Sequence, residues 1–110
     1  METTRQLKIA RLLQKELSSI FLGVARNFQG VIITTTKVRV SPDLSVARVY
    51  LSIFPSERGA ELLAQINEKS ASIRHDLAGR TRFQLRVVPE LSFFLDDSLD
   101  YIEHIDELLK

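Results

Sequence analysis

Residues 46–54, VARVYLSIF, alternate apolar and polar side chains without interruption, and this alternation constrains the fold more than any other feature of the chain. The side chains that share the inward parity are Ala47, Val49, Leu51 and Ile53. A period of two predicts a β-strand with one buried face, and a second layer must cover that face.

The preceding segment, residues 31–40, changes its buried parity halfway. Val31, Ile33 and Thr35 share the first inward parity, whereas Val38 and Val40 have the second. One extra residue in a strand produces such a change, so we predict a β-bulge near Thr36. Pro42 and Asp43 predict a short turn at 41–44, which makes the two strands an antiparallel hairpin.

Two stretches have the three- and four-residue spacing of amphipathic helices. The first has Thr4 as its predicted cap, ends between Gly23 and Asn27, and buries Leu7, Ala10, Leu13, Leu17, Ile20, Phe21 and Val24. The second begins at 54–57 and buries Leu63, Ile66, Ser70, Ile73 and Leu77. We predict a kink at 69–72, because serines compete with the helical backbone for hydrogen bonds, and an end at Gly79.

A third strand follows the second helix. Its apolar positions share one parity across Pro89, and they are Phe83, Leu85, Val87, Leu91, Phe93 and Leu95. Proline favours an edge strand, and a strand–helix–strand link favours parallel pairing with residues 46–54. Asp97 and Ser98 predict a cap for a short C-terminal helix. The sequence thus predicts one α+β two-layer domain over residues 1–110, in the order α-β-β-α-(kink)-α-β, with a three-stranded mixed sheet.

The net charge of +1 conceals an asymmetry. Residues 1–89 carry a net charge of +7, whereas residues 90–110 carry −6. This division indicates an anionic partner for one side of the molecule, although two ordinary solvated faces would also explain it. The absence of cysteine fits a reducing cytoplasm, and we expect no signal peptide or membrane span.

Catalytic signals are weak. His75 and His104 are the histidines of the chain, and Asp100 and His104 are too few ligands to indicate a metal site. The carboxylates of Asp96 and Asp97 are better explained as a helix cap. The glycines are isolated, so no phosphate loop is predicted. We therefore expect a protein that is not an enzyme and has no cofactor.

Basic residues give the stronger functional signal, because arginine and lysine bind phosphate. The predicted RNA-binding residues are Lys8, Arg11 and Lys15 on the first helix, Lys37, Arg39, Arg48 and Arg86 on strands, and Lys69, Arg74, Arg80 and Arg82 at the second helix. We expect Lys69, Arg74, Arg80, Arg82 and Arg86 to lie close together. Tyr50 and Phe94 are the outward-facing strand aromatics, too few for a base-stacking platform, so we expect recognition of folded RNA by backbone and shape. A basic sheet surface without a partner is the alternative.

Two stretches resemble the ribosome-binding factor A family. They are Val40-Ser41-Pro42-Asp43-Leu44 with Ala47, and Arg86 to Asp96, which contains Val88-Pro89-Glu90-Leu91 and Phe93. The resemblance extends over nearly the whole chain. It implies a type II KH-like fold in which an Ala-x-Gly kink replaces the GxxG loop of ordinary KH domains. Here residues 69–72, Lys-Ser-Ala-Ser, occupy the kink without a glycine.

The resemblance also implies a function. Such a protein is expected to be a monomeric, non-catalytic assembly factor that binds the immature small (30S) ribosomal subunit and 16S rRNA. It would assist late rRNA maturation, matter most in the cold, and act in one pathway with ribosome-associated GTPases. The alternative is a protein-interaction module whose acidic C-terminal helix docks on a ribosomal protein or a GTPase.

Overall fold

A computed structural model describes residues 2–96. Its first helix, α1, spans Thr4–Ala25 and ends inside the predicted window. The predicted cap at Thr4 is wrong by one residue, because Thr3 is the N-cap. The Thr3 hydroxyl accepts a hydrogen bond from the Gln6 amide at 3.1 Å, and the Gln6 side chain accepts one from the Thr3 amide at 2.8 Å. This reciprocal pair satisfies two amides at the helix start. Leu7, predicted to be buried, is instead 46% exposed, because Gln6 occupies the buried position of this turn.

The predicted hairpin is confirmed. Strands β1, Ile32–Val40, and β2, Val46–Phe54, pair antiparallel. Their register shifts between Thr35 and Lys37, which places the predicted bulge at Thr36. The shift lets both halves of β1 bury their apolar residues on the same side of the sheet.

The second helix is broken, as predicted, at Lys69. Helix α2 spans Gly59–Glu68 after a short 3₁₀ turn, Ser56–Arg58, and helix α3 spans Ser70–Thr81. Leu62, not Leu63, is the buried leucine of α2, since the helix is rotated to place position 62 against the sheet. Gly79 does not end α3, because Leu77 and Thr81 are both buried one turn apart and continue the core-facing side.

The third strand, β3, spans Glu90–Leu95 and pairs parallel with β2, so the sheet order is β1-β2-β3. The edge position and the parallel pairing are confirmed, but the predicted extension back to Phe83 is wrong. Glu90 already pairs with Val46, the first residue of β2, so earlier residues have no strand to bond with. Phe83 and Val87 are consequently 85% and 70% exposed.

Helices α1, α2 and α3 lie on one face of the sheet and enclose the core against it. The rings of Phe21 in α1 and Phe93 in β3 meet edge to face at 5.7 Å between centroids, which joins the helical layer to the edge strand. The predicted α+β, type II KH-like order is thus confirmed for residues 2–96. The predicted C-terminal helix, capped by Asp97 and Ser98, lies outside the described residues.

Candidate nucleic-acid interface

The predicted RNA-binding residues divide between the two faces of the domain. Lys37, Arg39 and Arg48 are exposed on the side of the sheet away from the helices, which we call the open face. Arg39 and Arg48 pair directly across β1 and β2. Two like charges in opposed positions repel each other, so this pair favours an anionic neighbour on the open face.

The basic stripe of α1 lies on the other side of the molecule. Lys8, Arg11 and Lys15 are exposed, whereas Leu13 and Leu17 on the opposite side of the helix are fully buried. Within residues 2–96, none of the three cations forms a salt bridge. Their charge is therefore available to a phosphate partner.

Arg80 is engaged inside the molecule. Its guanidinium group lies 3.7 Å from the Glu16 carboxylate and 3.4 Å from that of Asp76, and it donates a hydrogen bond of 3.2 Å to Ser19. Glu16 and Ser19 belong to α1, so Arg80 connects α3 to α1. An arginine neutralised by two carboxylates contributes less to RNA binding than an unpaired one.

Arg74 is engaged as well. Its guanidinium group donates two hydrogen bonds to the Val88 carbonyl oxygen, at 2.7 and 3.2 Å. Val88 belongs to the connecting segment, residues 82–89, which joins α3 to β3. Arg82 lies in the same segment, 4.7 Å from the centre of the Phe83 ring. Arg74 therefore holds the connecting segment against α3.

The predicted cluster of Lys69, Arg74, Arg80, Arg82 and Arg86 is not one surface. Lys69 borders a cleft at the C-terminal end of α1, beside Ile20. Arg86 borders another cleft at the N-terminal end of α1, beside Ile9. Eleven residues of helix separate these two positions, about 16 Å along the axis. Parity could not reveal this separation, because Arg86 does not belong to a strand.

The cleft at Arg86 joins cations from two parts of the chain. It measures 530 Å³ and lies between α1, the hairpin turn and the connecting segment. Arg5, Lys8 and Arg86 line it, together with the carboxylate of Asp43. Arg5 was absent from the predicted RNA-binding set, although its position three residues before Lys8 is a helical spacing that could have indicated it.

Asp43 belongs to the hairpin turn. Hydrogen bonds from the Ser41 hydroxyl, then from the hydroxyl and the amide of Ser45, hold the pKa of the Asp43 carboxyl below its ordinary value. The carboxylate therefore stays charged and fixes the turn at 41–45. It places one negative charge beside three cations, so the cleft remains basic. We call the exposed set Arg5, Lys8, Arg11, Lys15 and Arg86 the helical basic surface.

The described residues offer no group of three or more His, Cys, Asp or Glu side chains that could hold a metal ion. His75 is exposed and borders a shallow cleft with Arg74 and Val88. Asp100 and His104, the two weak metal candidates, lie outside the described residues. Among the helices within 2–96, none has the length and apolar character needed to cross a membrane.

Comparison with known proteins gives one consistent family. The family model described as Ribosome-binding factor A matches residues 5–109. Proteins of that name from Christiangramia forsetii and Flavobacterium johnsoniae are 49% and 52% identical to the chain, and each alignment covers 99% of this chain and 85% of the relative.

Solved structures agree with the sequence comparison. The crystal structure of ribosome-binding factor A from Thermus thermophilus superposes with a TM-score of 0.65 at 27% identity, covering 82% of this chain and 94% of the other. A homology model of the Thermus thermophilus factor, fitted into a cryo-EM map of its complex with the 30S subunit, gives a TM-score of 0.58 at 27% identity. That superposition covers 78% of this chain and 93% of the fitted one.

Proposed function

The chain belongs to the ribosome-binding factor A family, and from that premise we propose that it binds the small ribosomal subunit through 16S rRNA and assists late maturation of that RNA. The Thermus relative fitted into a 30S complex supports the choice of subunit. The proposal includes a non-catalytic role, a monomeric state in the cytoplasm and a particular importance in the cold.

The helical basic surface is the observation that best supports contact with RNA. Lys8, Arg11 and Lys15 have no salt bridge within residues 2–96, and Arg5 and Arg86 extend their charge into the neighbouring cleft. Arginine and lysine side chains held on a helix contact phosphates without reading base sequence. This arrangement suits recognition of a folded RNA by its backbone.

The engaged arginines receive a different role in this proposal. Arg74 and Arg80 hold the connecting segment and α1 in place, so they support the surface that contacts phosphate. Lys69 and Arg82 are exposed, and their positive charge adds to the long-range electrostatic attraction between the helix side of the domain and RNA. Lys37, Arg39 and Arg48 lie on the open face, where they cannot contact the same phosphates as α1.

The test is a binding titration with purified 30S precursors at several salt concentrations. Neutralising three cations, Lys8→Gln with Arg11→Gln and Lys15→Gln, should lower affinity at low salt by tenfold or more, on the order of 1.4 kcal/mol. The slope of log affinity against log salt should fall in magnitude by roughly 2 to 3, since each lost phosphate contact removes about 0.7 to 0.9.

The matched control neutralises the open face with Lys37→Gln, Arg39→Gln and Arg48→Gln, which removes the same charge. This variant should keep most of the salt slope. If the α1 variant binds like the natural chain and the control loses the slope, the RNA-binding surface is the open face and the assignment of the helix is wrong.

A second candidate rests on the −6 charge of residues 90–110. An acidic segment can dock on a basic ribosomal protein or on a ribosome-associated GTPase. Neutralising Asp100, Glu103 and Asp106 to their amides separates the two candidates. Loss of subunit binding in that variant, with the α1 cations intact, would favour the protein-docking function.

A further inference from the structure

The open face of the sheet combines exposed apolar side chains with cations. The rings of Tyr50 and Phe94 lie side by side across β2 and β3, 5.6 Å between centroids and inclined by 31°. Farther along the face, Ile32 and Phe54 are paired across β1 and β2 and remain 60% and 64% exposed. A mixed surface of this kind on a small domain indicates a partner that brings both apolar groups and negative charge.

The cations stand directly beside this apolar row. Lys37 pairs with Tyr50 across the hairpin. Arg48 precedes Tyr50 by two residues in β2, so both side chains lie on the same side of the sheet. Arg39 lies opposite Arg48. The row and the cations are therefore close enough for one short segment to cover both.

Asp96, the last described residue, has its side chain on this face. The Asp96 amide donates to the Leu51 carbonyl oxygen at 2.7 Å, and its carboxylate accepts a hydrogen bond from the Thr36 hydroxyl at 2.5 Å. Thr36 is in β1, whereas Asp96 directly follows β3, so this contact reaches across the central strand. Asp96 also shares the outward parity of Ser92 and Phe94. Fourteen residues follow it in the sequence.

The sequence of residues 97–110 has the complementary chemistry. Its apolar side chains recur at helical spacing and are Tyr101, Ile102, Ile105, Leu108 and Leu109. Its acidic side chains are Asp97, Asp100, Glu103, Asp106 and Glu107. Fourteen residues extend about 21 Å even as a helix, and three strands are only about 10 Å from first to last. The segment is long enough to cross the sheet.

We propose that residues 97–110 pack on the open face of their own sheet. In this arrangement the apolar side chains cover the Tyr50–Phe94 pair, and the carboxylates lie against Lys37, Arg39 and Arg48. The contact neutralises the repulsion between the two opposed arginines. It also keeps phosphate away from the open face and leaves RNA binding to the other side of the domain.

A paramagnetic label on the full chain tests the contact. The chain contains no cysteine, so Lys110→Cys provides a single site outside the acidic and apolar positions. With a nitroxide attached to this cysteine, we expect paramagnetic broadening in the NMR spectrum of the backbone amides. The amide signals of the open-face residues Lys37, Arg39, Arg48 and Tyr50 should lose at least half of their intensity. Those of Lys8, Arg11 and Lys15 should keep theirs. Intensity losses on the helix side, or none on the open face, would overturn the proposal.

Charge reversal checks the chemistry. Arg39→Glu with Arg48→Glu should restore most of the open-face intensity in the labelled chain, whereas the matched pair Lys8→Glu with Arg11→Glu should leave the losses unchanged. The spectrum of each variant reports whether it is folded. If the first pair does not fold, the pattern of losses in the Lys110→Cys chain still decides the question.

The same NMR experiment distinguishes residues 97–110 from other molecules that could cover the open face. When isotope-enriched natural chain is mixed with unenriched labelled chain, open-face losses would identify a second copy as the occupant and contradict the intramolecular contact. If the label leaves the open face unaffected and a single-stranded oligouridylate shifts its signals, the face is a nucleic-acid site and the proposal fails. Neither result bears on whether the helix side binds 30S precursors.

Discussion

The Arg74 guanidinium group in α3 donates two hydrogen bonds to the backbone carbonyl oxygen of Val88, a residue that lies just before β3. The side chain of Val88 is buried, so the connecting segment is held here both by core packing and by the hydrogen bonds from Arg74. An arginine that the sequence assigns to RNA thus also has a structural role.

Replacing Arg74 should therefore reduce stability. Arg74→Ala leaves the Val88 carbonyl without its charged donor, and we expect a loss of about 1–2 kcal/mol in the free energy of unfolding. Arg82→Ala is the matched control, since Arg82 is exposed and contacts the exposed Phe83 ring. Chemical denaturation measures both. Equal effects of the two substitutions would argue against a structural role of Arg74.

Gln6 connects α1 to the sheet. Its buried side chain donates to the Val40 carbonyl oxygen at 2.9 Å and completes the capping box with Thr3. Gln6→Ala should cost about 2 kcal/mol, because a cap is lost and a buried carbonyl is left without its donor. Gln84→Ala, at an exposed position, should change the unfolding free energy by less than about 0.5 kcal/mol. A neutral Gln6→Ala would contradict the stabilising role of these two hydrogen bonds.

Thr35 offers a stabilising substitution. Its hydroxyl is buried and has no hydrogen-bond partner among residues 2–96. Thr35→Val keeps the shape and removes the desolvated hydroxyl, so the free energy of unfolding should rise by about 1 kcal/mol. Thr34→Val is the control, because Thr34 is exposed on the same strand and gains the same strand propensity. A larger gain at 34 than at 35 would contradict this reasoning.

The rotation of α2 can be tested with two neighbouring leucines. Leu62 is 1% exposed, whereas Leu63 is half-buried at the edge of the core. Leu62→Ala should cost about 2–5 kcal/mol, as expected for a large buried side chain. Leu63→Ala should cost clearly less in the same denaturation experiment. The reverse order would mean that the helix presents its other side to the sheet.

Asp43 predicts an acid-dependent component of stability. Its pKa is lowered in the folded state by hydrogen bonds from Ser41 and then Ser45, so the unfolded chain binds the proton more tightly. This contribution is present above the ordinary carboxyl pKa of about 4 and is lost as the pH falls through the folded-state value. Asp43→Asn should therefore weaken the fall in denaturation midpoint between neutral pH and about pH 3. An unchanged fall in the Asp43→Asn chain would contradict this role of the hairpin turn.

The order of the elements could be predicted because it depends on local backbone chemistry. A change of parity within β1 requires an extra residue wherever the strand is folded, and Thr36 is that residue. The serines after Lys69 weaken the helix locally, and the break occurs there. Alternation in β2 likewise fixed the inward side of the central strand, from Ala47 to Ile53.

The extent of β3 and the use of the cations depend on distant partners. Glu90 begins the strand because β2 begins at Val46, which pairs with it. Arg80 contacts Asp76 one turn away in its own helix, but also Glu16 in another helix, and Arg74 donates hydrogen bonds to a carbonyl oxygen in the connecting segment. No local pattern encodes the contacts of Arg80 with Glu16 or of Arg74 with Val88.

The sequence by itself determined the order of the elements in residues 2–96, the inward face of β2 and the family, because periodicity and residue order are properties of short stretches of chain. Only the tertiary structure decided that Lys8 and Arg48 lie on opposite faces and that Arg80 is paired with Glu16 of another helix. The physical reason is that a cation's neighbours are set by how layers pack, and packing brings together residues far apart in the chain.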